Sequence, residues 1–123
     1  MKKTLVSILV LLLITFSLKA QRATFQNDTV KYNERIFAVN DTISLGYGSK
    51  ADKNFAFIRI GSGISATELD KNWAKNDAII ERIYLQGRTI YIRAKLLDKT
   101  VNLLGGNKLF INIEAAIDNK EIN

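Results

Sequence analysis

From Thr89 to Leu97 apolar and polar residues alternate. Ile90, Ile92, Ala94 and Leu96 fall on one side of an extended chain, and Thr89, Tyr91, Arg93 and Lys95 on the other. A period of two is the mark of a half-buried strand. The same alternation recurs in short pieces separated by Gly, Asn and Asp, which points to a chain built from antiparallel hairpins. Ala78 to Leu85 and Thr89 to Leu97 flank Gln86-Gly87-Arg88 and predict one hairpin. Val101 to Leu104 and Leu109 to Ile113 flank Gly105-Gly106-Asn107 and predict another, with Leu109, Ile111 and Ile113 inward. Between Asn40 and Gly63, Ile43 and Leu45 on one side of Gly46-Tyr47-Gly48-Ser49 and Ala56, Ile58 and Ile60 on the other predict a central hairpin. Arg35 to Val39 adds a strand that ends at the turn-forming pair Asn40-Asp41.

One segment has helical signals. Ser65 and Glu68 form a capping box, Ile64 and Leu69 a hydrophobic staple, and Leu69 and Trp73 share a face four residues apart, predicting a helix over Ile64 to Lys75. So short a helix is stable only when docked, which makes Trp73 a core plug. Ile113, Ala116 and Ile117 are spaced for one or two helical turns near the end of the chain. These elements together predict an α+β fold over residues 35–123: a small antiparallel β-barrel-like domain, SH3-like or OB-like, with one inserted short helix and a C-terminal helical turn. An open sheet packed on the Trp73 helix is the alternative.

The amino terminus has its own logic. Lys2 and Lys3 precede an apolar run from Leu5 to Leu18 and then Lys19-Ala20-Gln21, the layout of a secretory signal peptide over residues 1–20 with cleavage after Ala20. The run is shorter than the roughly 20 residues a spanning helix needs. The expected location is therefore periplasmic or secreted, with membrane contact only through the uncleaved signal. Of 18 basic residues, removal of Lys2, Lys3 and Lys19 leaves 15 against 12 acidic ones, a net charge of +3 in place of +6. That modest charge and export both disfavour nucleic acid as a partner. Residues 21–34 are polar and predict a flexible arm ahead of the domain.

The chain has no Cys and no His. Thiol nucleophiles, imidazole bases and the usual zinc or iron ligand sets are excluded, and so are disulfides and a lipid-bearing cysteine. Glu114, Asp118 and Glu121 would form an acidic stripe on an extended terminal helix, suited to a hard cation, although a solvated helix face has the same spacing. Gly46-Tyr47-Gly48-Ser49 invites comparison with a phosphate nest, but a plain turn between strands explains it and no helix follows. No catalytic signature stands out, so neither an enzyme nor a cofactor is expected.

A binding surface is the sharper expectation. With Ile58, Ile60, Ile90 and Ile92 inward, Phe55, Phe57, Arg59, Tyr91 and Arg93 share the opposite sheet face, joined by Phe110. Aromatic rings interleaved with arginines make stacking platforms. The simpler reading is a second small core covered by the amino-terminal arm or a helix. An exposed face of this kind suits an envelope glycan or a peptide, and the competing function class is a structural or assembly component of the envelope. The triplets Asp28-Thr29-Val30 and Asp41-Thr42-Ile43 resemble the Asp-Thr-aliphatic acceptor motif of O-glycosylated exported bacterial proteins, which implies glycans on Thr29 and Thr42. The simpler reading is that both Asp residues close turns ahead of strands.

Asn-Asp-Thr-Ile-x-Leu-Gly-x-Gly-Ser at residues 40–49, Phe-x-Phe-Ile at 55–58 and Ile-Glu-x-Ala-Ile-x-x-x-Glu-Ile at 113–122 give the chain a resemblance to a group of small uncharacterised exported proteins of Gram-negative bacteria. The resemblance implies export and a single small domain. It implies no activity and carries no functional residues across.

Overall fold

In the computed structural model, residues 22–61, 66–98 and 108–123 are described. Strands β7 (Asp77–Gln86) and β8 (Thr89–Leu96) form the long central hairpin. Gln86 pairs with Thr89 across a two-residue turn whose first central residue, Gly87, has a φ of 63°. Glycine takes that backbone region without a Cβ penalty. Around the hairpin, β4 (Thr42–Ser44), β5 (Ile58–Ile60), β6 (Thr67–Glu68) and β9 (Lys108–Asn112) complete a six-stranded sheet in the order β4-β7-β8-β9-β5-β6, antiparallel throughout.

The register builds the core as cross-strand rows. Ile83, Ile92, Ile111 and Ile58 face one another across four strands, and Ile80, Ala94, Leu109 and Ile60 form the next row. All are buried except the half-buried Ile60. Each buried branched side chain contributes about 1.5–3 kcal/mol through removal from water. Ile80 and Ile83 are three apart, yet both face inward, because the register shifts by one residue between Ile80 and Arg82. The extra residue, Glu81, is a β-bulge.

A second, three-stranded sheet comprises β1 (Thr24–Gln26), β2 (Thr29–Tyr32) and β3 (Arg35–Ala38). Its turns are Asn27-Asp28 and Asn33-Glu34, and all four residues have positive φ, the conformation of type I′ hairpins. Val30 and Phe37 join the same core as the inner rows. The carboxy-terminal helix, Ile113–Asp118, also buries Ile113 and Ala116 there. Lys120, at a φ of 59°, ends it in a Schellman turn, with the Glu121 amide donating to the Ala116 carbonyl and the Lys120 amide to that of Ile117. Ile122 then bridges to Leu45.

Several expectations are corrected. The stretch 40–63 is not a hairpin: β4 lies at one edge of the sheet and β5 lies beyond β9, with β7, β8 and β9 between them. No helix spans the described part of Ile64 to Lys75. Thr67 and Glu68 instead pair with Ile60 and Arg59, and only a 3-10 turn, Lys71–Trp73, follows. An unpaired β5 edge offers ladder hydrogen bonds that a short isolated helix cannot match. Trp73 is half-buried against the core, while Leu69 is fully enclosed. Residues 22–34, expected as an arm, form β1 and β2, because two Asn-led turns let short polar segments pair. The α+β class stands. The large sheet is open among the described residues, with no ladder joining β4 to β6. The strand expected at 101–104 lies outside the described residues.

Candidate functional site

The outer face of the large sheet repeats the row construction with different chemistry. Arg82, Arg93, Phe110, Arg59 and Glu68 stand opposite one another in register across five strands. Beside them, two residues along each strand, Tyr84, Tyr91 and Asn112 make a second row. Tyr84, Tyr91, Arg93, Phe110 and Asn112 are half-buried, and Arg82 and Arg59 are exposed. The buried side chains of the small sheet and the helix belong to the inner core, so the two faces of the large sheet differ in kind.

The two tyrosine rings stack with centroids 5.8 Å apart and planes 19° from parallel. The Arg82 guanidinium lies 5.5 Å from the Tyr84 ring centroid. Burial pushes the Tyr84 hydroxyl above its ordinary pKa and the Tyr91 phenol adds to the shift, while Arg93 and Arg82 oppose it, which places both cations in the field of that ring. A guanidinium group of Arg59 donates to the Ala66 carbonyl, fixing this side chain across the β5–β6 pair. The Nε of Arg93 is buried and has no hydrogen-bond partner among the described residues.

Of the residues expected on this face, Arg59, Tyr91 and Arg93 are on it, and Arg59 and Arg93 flank Phe110 from the two neighbouring strands. Phe55 is not. It is 0% exposed and belongs to the core, because β5 begins only at Ile58 and the alternation does not extend back to Phe55. Phe57 precedes β5 and is half-buried against the core, its carbonyl accepting the Asn112 amide at 3.0 Å. Tyr84 and Arg82 were missed by the sequence reading. Counting back across the two-residue turn at Gly87-Arg88 from Tyr91 and Arg93 reaches both.

Glu121 determines where Phe57 and the start of β5 lie. Its carboxylate is 0% exposed. One oxygen accepts from the Ser49 amide at 2.9 Å, the Ser49 hydroxyl at 2.6 Å and the Ala56 amide at 2.7 Å, and the other accepts from the Phe57 amide at 2.9 Å. Of the glycine-rich segment only Ser49 donates to this anion, which is the chain's own; the Ala56 and Phe57 amides supply the rest. Gly46 and Gly48 permit this close packing: a Cβ would meet the Lys120 carbonyl oxygen at 2.3 Å or the Lys53 carbonyl oxygen at 2.1 Å. The acidic stripe is dispersed by the same geometry. The helix ends before Glu121, Glu114 accepts the Ala23 amide at 2.8 Å, and Asp118 accepts the Tyr32 hydroxyl at 2.8 Å. The Glu114, Asp118, Glu121 set therefore forms no common site.

Thr29 opens β2 with its hydroxyl donating to the Asn27 carbonyl at 3.3 Å, and Thr42 opens β4 in an exposed position. Asp28 and Asp41 both lie in the turns that precede these strands, and the Asp41 carboxylate accepts the Ala38 amide at 2.8 Å. No family profile, curated protein or solved structure matches the chain.

Proposed function

We propose that the protein is an exported, non-catalytic binding module that holds an extended glycan or peptide across the outer face of its large sheet. The observation that carries this reading is the stacked Tyr84–Tyr91 pair beside a row of arginines, on the face opposite the core. Half-buried rings on a sheet supply flat apolar area at low entropic cost, and neighbouring guanidiniums supply direction. The tripartite amino terminus supports export. The absence of Cys and His leaves the chain without thiol nucleophiles or imidazole bases.

Protein expressed from the full sequence and recovered from the exported fraction should have an intact mass that begins at Gln21. On an array of polysaccharides and short peptides it should be retained by at least one class, and Tyr91→Ala should abolish retention with the circular dichroism spectrum unchanged. A chain that binds nothing on the array and self-associates in light scattering would favour an envelope assembly component instead.

A further inference from the structure

We infer that the ligand of this face is an acidic polysaccharide, a chain of uronic acids held through its carboxylates; the inference rests on the outer face being the binding site. Arg82 and Arg93 are direct cross-strand neighbours, and Arg59 follows two strands on, beyond Phe110. Like charges directly opposite on a sheet destabilise it. Among the described residues, neither ion pair reaches these arginines. Both described ion pairs use lysines, Lys50 with Glu68 at 2.6 Å and Lys108 with Glu81 at 2.5 Å. The segments 1–21, 62–65 and 99–107 contain no acidic residue, so none of them can bring a carboxylate to this row. Glu68, the acid that ends the row, gives its oxygen to Lys50.

Arg93 is the sharpest case. Its Nε is a buried donor without an acceptor among the described residues, so no described carboxylate engages the guanidinium at that atom. At a strand spacing of ~4.8 Å, Arg93 and Arg59 stand about 10 Å apart, so one isolated carboxylate does not serve both and a ligand with repeated acidic groups does.

The choice between glycan and peptide follows from the backbone. β8 and β9 are each paired on both sides, so their main-chain groups are spent in ladders and cannot hold a peptide by strand addition. Besides Asn112 and Glu68, the two rows of this face offer rings and guanidiniums. Sugar rings stack on the first, and their carboxylates fork onto the second.

The test is calorimetric titration of the exported protein with three probes: an oligogalacturonate, its carboxyl-reduced neutral counterpart and a poly-glutamate of similar length. The oligogalacturonate should bind, weakening as salt rises, and the neutral oligomer should bind at least about tenfold more weakly. Arg93→Lys and Arg82→Gln should each reduce oligogalacturonate affinity by about tenfold or more, the yield of one charge-assisted hydrogen bond, while Arg88→Gln in the turn leaves it unchanged. Equal affinity for the neutral oligomer, lost on Tyr91→Ala, would overturn the inference and leave the binding-module reading standing. Tighter binding of poly-glutamate would overturn it in favour of an acidic peptide. Heat from none of the three would reject it outright.

Discussion

Ser49 and Glu121 stand 72 residues apart, yet the Ser49 amide and hydroxyl both donate to one oxygen of the Glu121 carboxylate. The Ala56 and Phe57 amides complete the set, so the loop from Gly46 to Phe57 is folded around a charge delivered by the last residues of the chain. The Schellman turn at Lys120 is what aims that charge inward. Because the loop leads directly into β5, the same carboxylate fixes where Arg59 enters the outer face.

Glu121→Gln should therefore be costly. The amide presents an NH2 to donors that need an acceptor, and a loss of about 2–3 kcal/mol or more is expected, read as a lower urea midpoint. Glu114→Gln, which touches a single described amide, should cost less than about 1 kcal/mol.

Gly48→Ala should be as damaging by a different route. The added methyl would sit 2.1 Å from the Lys53 carbonyl oxygen and 2.4 Å from that of Asn54, both main chain. Neither can rotate away, so the loop must open, and a strongly lowered thermal midpoint is expected, whereas Gly87→Ala meets no atom within 4 Å and strains only its φ of 63°.

The β7–β8 hairpin was legible because its turn is two residues long and β8 alternates without a break. β7 was not legible face by face. Its alternation is interrupted at Glu81, and the bulge that reconciles Ile80 with Ile83 is set by pairing to β8. Phe55 was misplaced because an alternation of Phe55, Phe57 and Arg59 looks continuous in the sequence, while the strand covers only Ile58–Ile60. The capping signals around Ser65 and Glu68 were local, and the Glu68 end of that pattern was overridden by a tertiary partner, the edge of β5. Nothing local marks Glu121 as a core residue, since its donors come from a loop more than sixty positions earlier.

With a 3-10 turn in place of the expected helix, Leu69 and not Trp73 is the fully buried side chain of this segment. Leu69 is fully buried, with its amide donating to Ile58 and its carbonyl accepting from Phe55. Leu69→Ala should cost about 2–5 kcal/mol. Trp73, only half-buried, should cost less on truncation than the roughly 3–5 kcal/mol of a fully buried aromatic. Urea unfolding of the two variants side by side measures the order.

Alkaline pH gives an independent view of the outer face. Burial, with help from Tyr91, holds the Tyr84 hydroxyl above its ordinary value of 10.0. A group that binds its proton more tightly in the folded chain stabilises the fold fully below the unfolded pKa and loses that contribution as pH rises through the folded one. Stability should thus fall above about pH 10, and Tyr84→Phe should flatten the fall. In a phenolate absorbance titration the same variant should remove a late-titrating component.

Amide and side-chain NMR spectra of the exported chain, recorded during titration with oligogalacturonate, decide whether the proposed ligand meets the outer face. Tyr84, Tyr91, Asn112, Phe110 and the Nε–H of Arg93 should shift together and saturably, while Leu45, Ile111 and the Ser49 amide on Glu121 stay still. Saturable shifts confined to the small sheet or to the Gly46–Phe57 loop, or no saturable shift at all, would contradict it.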